Sequence, residues 1–463
     1  MIDRPRCRRS TPVARRGQAG FTMVELIVSL LAGLIVATGI VALSREATNS
    51  FHEEARSSVA EAAMRTAIDR LRADLQRAGY MSTGNILADP TIAAGPGGLH
   101  VAATAPKSTS ATAPRMALAT LASLFLIDNG SQANLAGASA VGPGTLTPDL
   151  IDIAGNMTST DAFDVAYIAQ TQTGNCINIF LSTTSPAMYR VMGTGDAGIT
   201  ELGAIFQPDP TATASFIVRL VDDSGRSQFL QTCIPAVGVL GGQPYVSVNN
   251  VTTPIRTAQS TGTVSGLSGY AAGRSWVNPV QIVQWEITAT SSTVDQEPAQ
   301  FTNGLEATSD GGTDPTKYDL MRSYLDAYGN IVAATSEIVA EYVVDLSFAF
   351  SVDKSTSQAT PNIVSYAFDD ATDNDPIAAA ITSATTMYPQ RIRSVRARLV
   401  TRTAQADRTV NIAVAPANYG SENFMYRYCV SGCPSPAAGA LAWARTRTVT
   451  TEVALPNQAR NFY

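Results

Sequence analysis

The chain has 463 residues, 45% hydrophobic and 15% charged, a composition that excludes an intrinsically disordered protein. Its formal net charge is −6, but residues 1–20 hold six arginines against Asp3, so everything after this leader is markedly acidic. An acidic body lacks the basic footprint of a nucleic-acid-binding protein, so we expect no nucleic-acid partner.

An apolar run at residues 21–43 follows the basic leader and is long enough to cross a bilayer as a helix. A secretory signal cleaved near Ser44 would use a shorter apolar stretch. A plain signal anchor fits the length, and the upstream arginines would keep the N-terminus in the cytoplasm. Neither interpretation explains Glu25, because a carboxylate inside the run disfavours insertion by up to about 2.5–3.5 kcal/mol at the centre of a span, and by less near an end.

The residues around this carboxylate read GFTMVEL, from Gly20 to Leu26. They resemble the class III signal of type IV prepilins, in which a basic leader ends in Gly and an apolar helix carries Glu at its fifth position. The resemblance implies cleavage between Gly20 and Phe21 by prepilin peptidase, followed by N-methylation of Phe21. It also gives Glu25 a role in assembly. In a dry bundle of helices, the α-ammonium of Phe21 would neutralise the Glu25 carboxylate of a neighbouring subunit.

The apolar helix is predicted to continue well beyond the membrane. Residues 44–78 contain neither Pro nor Gly, and Gly79 suits the position just after a helix. A helix over residues 21–78 would be ~87 Å long at 1.5 Å per residue. An apolar stripe is expected on this continuation at Val59, Ala63, Ile68, Leu71, Leu75 and Ala78.

We therefore divide the chain into a leader (1–20), a membrane or filament-core helix (21–43), an amphipathic continuation (44–79) and a β-rich head (80–463). Apolar and polar residues alternate in many segments of the head, as in an antiparallel sheet with one wet face. Strands are predicted at residues 163–169, 177–181, 216–221, 245–251, 280–289, 338–352, 392–401 and 446–454. Residues 82–115 and 128–160 are predicted to be irregular, with a buried segment at 116–127. The predicted fold class is α+β: a long N-terminal helix packed on an antiparallel sheet with large insertions.

Four segments of the chain resemble PilW-type minor pilins. They are LRADLQRAGY (71–80), VDLSFAFSVD (344–353), RSVRARLVTR (393–402) and TRTVTTEVAL (446–455), the last of which is followed by Asn457. The resemblance implies a helix that ends at the first segment and strands at the other three. Residues 82–335 show no such resemblance.

Five cysteines occur, one of them in the leader, and the even number in the body suits an oxidising compartment. Four cysteines allow three pairings. Of these we favour Cys429–Cys433, a short loop, together with Cys176–Cys233. Four independent buried thiols are the alternative. A zinc site is less favoured, because the spacing offers one lone C-x₃-C and the chain has two histidines.

Catalytic and cofactor motifs are sparse. A hydrolase would depend on His100 in a Gly-rich stretch, since His52 is expected on the helix outside the membrane, and no nucleophile is marked near His100. The Asp-rich stretch with Asp369, Asp373 and Asp375 offers oxygen ligands of the kind that Ca²⁺ takes, as do residues 310–314. Neither stretch fits the EF-hand spacing, and solvated turns are the alternative. We expect no enzyme activity and no cofactor beyond a weak Ca²⁺ candidate.

The sequence thus predicts a structural protein. The resemblance implies a minor pilin that is held in the inner membrane with its N-terminus in the cytoplasm and then built into a type IV pilus with the major pilin and other minor pilins. There it would help to start assembly at the filament tip, where the head could meet an adhesin, in filaments that serve adhesion and twitching motility. The alternatives are a J-type pseudopilin of type II secretion and a membrane-anchored periplasmic binding or adhesion domain.

Overall fold

The protein is described by a computed structural model, in which the chain divides into two units, Met1–Arg56 and Ser57–Tyr463. The residues that the structure describes are 22–93, 100–108, 115–127, 148–158, 162–169, 173–192, 198–209, 211, 213–256, 270, 274–289, 317–355, 362–368, 389–404, 427–429 and 443–458.

Helix α1, Met23–Gln76, is one uninterrupted helix, as the absence of Pro and of closely spaced Gly predicts. It ends two residues before the predicted Ala78, because the N–H groups of Arg77 and Ala78 bond to carbonyls only three residues back. Gly79 then adopts φ +70°, which a glycine reaches without steric cost, and its N–H donates to the Ala154 carbonyl at 2.8 Å.

Two short α-helices, three single-turn 3₁₀-helices and fifteen strands complete the described structure. The α-helices are α2 (Pro186–Met192) and α3 (Ile199–Phe206). The strands are β1 (Leu124–Ile127), β2 (Leu150–Gly155), β3 (Phe163–Ile168), β4 (Cys176–Leu181), β5 (Ile217–Val221), β6 (Ser227–Leu240), β7 (Gln243–Asn249), β8 (Trp276–Ala289), β9 (Tyr318–Leu325), β10 (Glu337–Ala340), β11 (Val343–Asp353), β12 (Ile363–Ser365), β13 (Ile392–Arg402), β14 (Arg427–Cys429) and β15 (Trp443–Ala454). Every pairing between these strands is antiparallel.

Strand β8 belongs to two structures at once. Its first residues, 276–280, pair with β5 on one side, and residues 276–277 pair with β3 on the other. The strand order β8-β3-β4-β7-β6-β5 therefore closes on itself, and we call this closed ring the barrel. Residues 281–289 of β8 leave the barrel and pair with β2 and β9, so that β1, β2, β8, β9 and β10 form what we call the core sheet.

The C-terminal strands form a second sheet in the order β12-β11-β13-β15-β14. One hydrophobic cluster joins α1 to this sheet and to the core sheet. Its members include Leu71 and Leu75 of the helix, Trp285 of β8, Phe348 of β11 and Leu399 of β13, all fully buried. The head is therefore assembled around the second half of α1, and burial of each such large side chain contributes about 1.5–3 kcal/mol.

The interior of the barrel is a separate hydrophobic cluster. Alternate residues of its strands point inward, among them Val165, Ile179, Leu220 and Val246, and α2 and α3 contribute Met188, Leu202 and Phe206. A third cluster lies on the other face of the core sheet and takes in the segment around Met116–Leu121, as predicted for a buried segment. The core sheet is thus covered on both faces.

The structure confirms the α+β class and corrects several local predictions. Residues 150–155, predicted to be irregular, form β2, whose burial on both faces hides the period of two on which strand prediction relies. The segment predicted as one strand at 338–352 is two strands, β10 and β11, divided at Tyr342, whose φ is +56°. Strands β6 and β9 and the short strands β1, β12 and β14 were not predicted as strands. Val59 is 70% exposed, so the buried stripe of α1 begins at Met64.

Candidate functional site

The first turn of α1 is organised by Thr22 and Glu25. The Thr22 hydroxyl accepts the N–H of Glu25 at 3.3 Å, and Glu25 Oε2 accepts the Thr22 N–H and hydroxyl, each at 3.0 Å. This reciprocal arrangement is a capping box, which satisfies backbone donors that the start of a helix leaves open. Sequence reasoning assigned Glu25 a role between subunits and missed this one, although the spacing T-x-x-E before an apolar run indicates it.

The apolar run beyond Glu25 is exposed throughout. Ile35 and Leu43 are 72% and 77% exposed, and the most apolar stretch of α1 has a mean hydropathy of 2.7 with none of it buried. By length and composition, α1 can cross a membrane. An apolar surface of this extent needs a membrane or other helices to cover it. The predicted cleavage and methylation pair, Gly20 and Phe21, lies outside the described residues.

The other end of α1 is fixed to the head through a buried carboxylate. Asp74 Oδ2 accepts the indole N–H of Trp285 at 3.0 Å and the Nε–H of Arg322 at 2.8 Å. Arg322 also contacts Glu337 at 3.1 Å, which in turn pairs with Arg70 at 2.6 Å. Burial opposes the charge of Arg322, but Asp74 outweighs it and the pKa of the guanidinium is raised. A buried pair of this kind holds two elements in one register, because separating it leaves an uncompensated charge.

The segment after β15 meets this docked end of the helix. Asn457, after β15, donates from Nδ2 to the Gln76 carbonyl at 3.0 Å and to the Ala78 carbonyl at 3.3 Å. Carbonyls at a helix C-terminus lack intrahelical partners, so this side chain caps α1. Arg393 of β13 pairs with Asp353 of β11 at 3.1 Å. Asn457 thus ties the segment after β15 to the end of α1, and the Arg393–Asp353 pair ties β13 to β11.

The predicted disulfide Cys176–Cys233 is present, with a Cα–Cα distance of 6.3 Å. It joins β4 to β6 of the barrel, across the intervening strand β7. Cys429 lies in β14, and Cys433 is outside the described residues, so the Cys429–Cys433 pairing stays a prediction.

Among the described residues, His100 lines only a small cavity. The cavity that it lines with Arg256 has a volume of about 10 Å³, which is room for about one water molecule. Its Nδ1 is buried with no hydrogen-bond partner in the described structure, and its carbonyl accepts an N–H of Arg256 at 3.2 Å. His52 is on α1 and exposed, as predicted.

The calcium candidates Asp369, Asp373 and Asp375, and the stretch 310–314, fall outside the described residues. Within the described ranges, no group of three or more His, Cys, Asp or Glu side chains could hold a metal ion.

Comparison with known proteins bears on the N-terminus. Residues 15–41 match the family model of the prokaryotic N-terminal methylation motif. The match covers the end of the leader, Gly20, Phe21 and the capping box of α1. It indicates a type IV pilin-like or pseudopilin protein. Such a motif implies processing by prepilin peptidase and involvement with pilus components, and the exposed apolar half of α1 fits anchoring in a membrane before assembly. No curated protein and no solved structure matches the chain.

Proposed function

We propose that the protein is a minor pilin of the PilW type, which is cleaved after Gly20, methylated at Phe21 and built into a type IV pilus at or near its tip. The methylation motif supports filament assembly as the general function. The PilW assignment is supported by the four resembling segments, in which Asn457 caps the end of α1 and the Arg393–Asp353 pair joins β13 to β11.

The geometry of Glu25 carries the proposed mechanism of assembly. Its Oε2 is occupied by Thr22, while Oε1 forms no hydrogen bond in the described structure, and the residue is exposed. Cleavage after Gly20 leaves the Thr22 N–H intact, so the capping box survives processing. The remaining oxygen is then available to the Phe21 ammonium of a neighbouring subunit. In a water-poor helix bundle this pair selects one axial register, since an unmatched carboxylate there is costly.

Two substitutions separate the charge of Glu25 from its capping role. Glu25→Gln keeps an amide oxygen that can accept the Thr22 N–H, as Gln does in other capping boxes, but it removes the negative charge. Glu25→Ala removes both. If pairing with the ammonium drives assembly, both variants should be processed normally, should accumulate in the inner membrane and should be depleted at least tenfold from the sheared filament fraction.

The matched control is Glu46→Gln, which neutralises an exposed acid of the same helix outside the apolar run. It should enter filaments like the unaltered protein. Normal incorporation of Glu25→Gln together with loss of Glu25→Ala would mean that capping alone matters. Normal incorporation of both variants would contradict any assembly role for Glu25.

A further inference from the structure

The barrel carries a recess at the point where β6 separates from β7. Thr232 pairs with Val248 and Val237 pairs with Val246, so the four residues 233–236 of β6 face the single residue Ser247. This bulge pushes Ile234 outward, where it is 52% exposed. Bulges of this type bend a strand and redirect side chains, and they are frequent beside binding sites.

The recess has a volume of about 370 Å³, within the range of about 300–1,000 Å³ that is usual for small-molecule sites. The disulfide Cys176–Cys233 forms part of its lining and ties the bulge to the start of β4. The turn after β9, with Asp326 and Tyr328, forms another wall. Residues from the barrel and from the core sheet therefore bound the same space within the head.

The described residues that line the recess are mostly polar, and one of them is charged. Asp326 supplies the one carboxylate, and its oxygens already accept the N–H groups of Tyr328 and Asn330, each at 2.8 Å, and the Asn330 side-chain amide at 3.1 Å. Among the described residues, no Lys or Arg lines the recess. An anionic ligand would find no counter-charge among the described lining residues, and a cationic ligand would share the Asp326 carboxylate with three N–H donors.

The groups left for a ligand are amides, a phenol and apolar surface. Within the described structure, no hydrogen bond uses the side-chain amide of Asn175 or the hydroxyl of Tyr328. Asn249 accepts two backbone N–H groups through Oδ1, which leaves its Nδ2 donors. The ring of Tyr328 and the side chain of Ile234 add apolar contact area.

We propose that this recess binds a neutral carbohydrate of one or two sugar rings. Sugar hydroxyls both donate and accept, which matches the mixed donors and acceptors of the Asn175 amide and the Tyr328 hydroxyl. The C–H face of a sugar ring suits contact with an aromatic ring such as Tyr328, which offers an apolar body and a polar tip. A neutral polyhydroxylated ligand also needs no counter-ion in the recess.

The test is saturation-transfer NMR on the purified full-length chain in a detergent that lacks a sugar head group. The probes are glucose, galactose, N-acetylglucosamine and their β-linked disaccharides at millimolar concentration. We expect saturation of the ring protons of at least one probe, and an apparent affinity reduced at least tenfold, equivalent to about 1.4 kcal/mol, in Tyr328→Ala and in Asn175→Ala.

Tyr189→Ala is the matched control, since Tyr189 is a 69% exposed tyrosine on α2 that does not line the recess. Tyr189→Ala should bind the sugar as the unaltered protein does. All three variants should have the melting temperature of the unaltered protein. Absence of saturation for every sugar would overturn the proposal. So would sugar binding that survives both Tyr328→Ala and Asn175→Ala. Because the chain is assayed outside a filament, these outcomes are independent of the Glu25 experiment.

Discussion

Glu25 in the first turn of α1 and Asp74 in its last turn are carboxylates on one helix with opposite surroundings. Glu25 is exposed, and its partner within the described chain is Thr22, three residues away. Asp74 is buried and is held by Trp285 and Arg322, which come from β8 and β9 far along the chain. The second half of α1 thus obtains its partners from the head of the same molecule, whereas the first half leaves its apolar side chains and one carboxylate oxygen for other molecules.

The largest effect on stability is expected when the second half of α1, which packs on the head, loses its buried carboxylate. Asp74→Ala leaves the Trp285 N–H without an acceptor and leaves the buried Arg322 with only the half-exposed Glu337 as a carboxylate partner. We expect the free energy of unfolding of the head to fall by about 3–5 kcal/mol. Denaturant unfolding followed by circular dichroism in detergent measures this change.

The control for Asp74 is Arg65→Ala, which breaks the exposed pair with Glu61 on the same helix. Exposed pairs contribute about 0–1 kcal/mol, so this variant should unfold almost as the unaltered protein does. If Asp74→Ala cost no more than Arg65→Ala, the buried pair would not be what holds α1 to the head.

A second prediction tests how closely the end of α1 approaches the core sheet. Gly155, at the end of β2, has no side chain, and a Cβ there would collide with the carbonyl oxygen of Arg77, a backbone atom that cannot turn away. Gly155→Ala should lower the free energy of unfolding by about 2–3 kcal/mol.

Gly203→Ala is the control, and we expect it to change the free energy of unfolding in the opposite direction. Gly203 lies inside α3, and the nearest atom to its added Cβ is Val237 Cγ2 at 3.9 Å, an ordinary contact. Alanine favours helix over glycine by roughly 0.5–1 kcal/mol, so this variant should be stabilised. Equal effects of the two substitutions would contradict the close approach at Gly155.

A third prediction compares Asp74 with a buried acid that has neutral partners. Asp152 of β2 accepts the Met116 N–H at 2.8 Å and a Gln284 N–H at 3.0 Å, and burial raises its pKa to about 6. Because the folded protein binds this proton more tightly than the unfolded chain does, the stabilisation is complete below about pH 4 and is lost as pH rises through 6.

Asp152→Asn should therefore leave stability near pH 4 almost unchanged and raise it by about 1–2 kcal/mol at pH 7.5. The asparagine side chain of this variant can still accept the Met116 N–H. Its amide can donate to Gln284 Oε1, which has no partner in the described structure, once the Gln284 amide turns over to exchange Nε2 for Oε1. Melting temperatures from pH 4 to pH 8 for both proteins measure the difference. A difference that does not change with pH would mean that Asp152 stays ionised throughout.

The contrast between local partners, as at Glu25, and partners far along the chain, as at Asp74, explains what the sequence could predict. The N-terminal signal, the capping spacing and the alternating strands are local patterns, so Glu25 and much of the second sheet could be placed from residues alone. The barrel depends on β8 being shared between two structures, which no single segment encodes. Asp152 interrupts the apolar run of β2, so that this buried strand resembled a loop. The partner of Asp74 lies more than two hundred residues away, beyond the reach of any spacing rule.

The recess of the barrel was missed for a similar reason. Its lining comes from the start of β4, the segment before β5, the middle of β6, the end of β7 and the turn after β9. None of these short segments carries a recognisable binding motif of its own. Only the bulge in β6 and the closure of the barrel bring them around one space.

The measurement that tests the central claim most directly is the N-terminal mass of the protein isolated from membranes, determined for the unaltered chain and for Gly20→Ile. We predict that the unaltered protein begins at a methylated Phe21, and that Gly20→Ile retains the leader because the bulky side chain blocks cleavage. An unaltered protein that begins at Met1 or near Arg45 would contradict assembly as a pilin-like subunit and would leave Glu25 with its capping role alone.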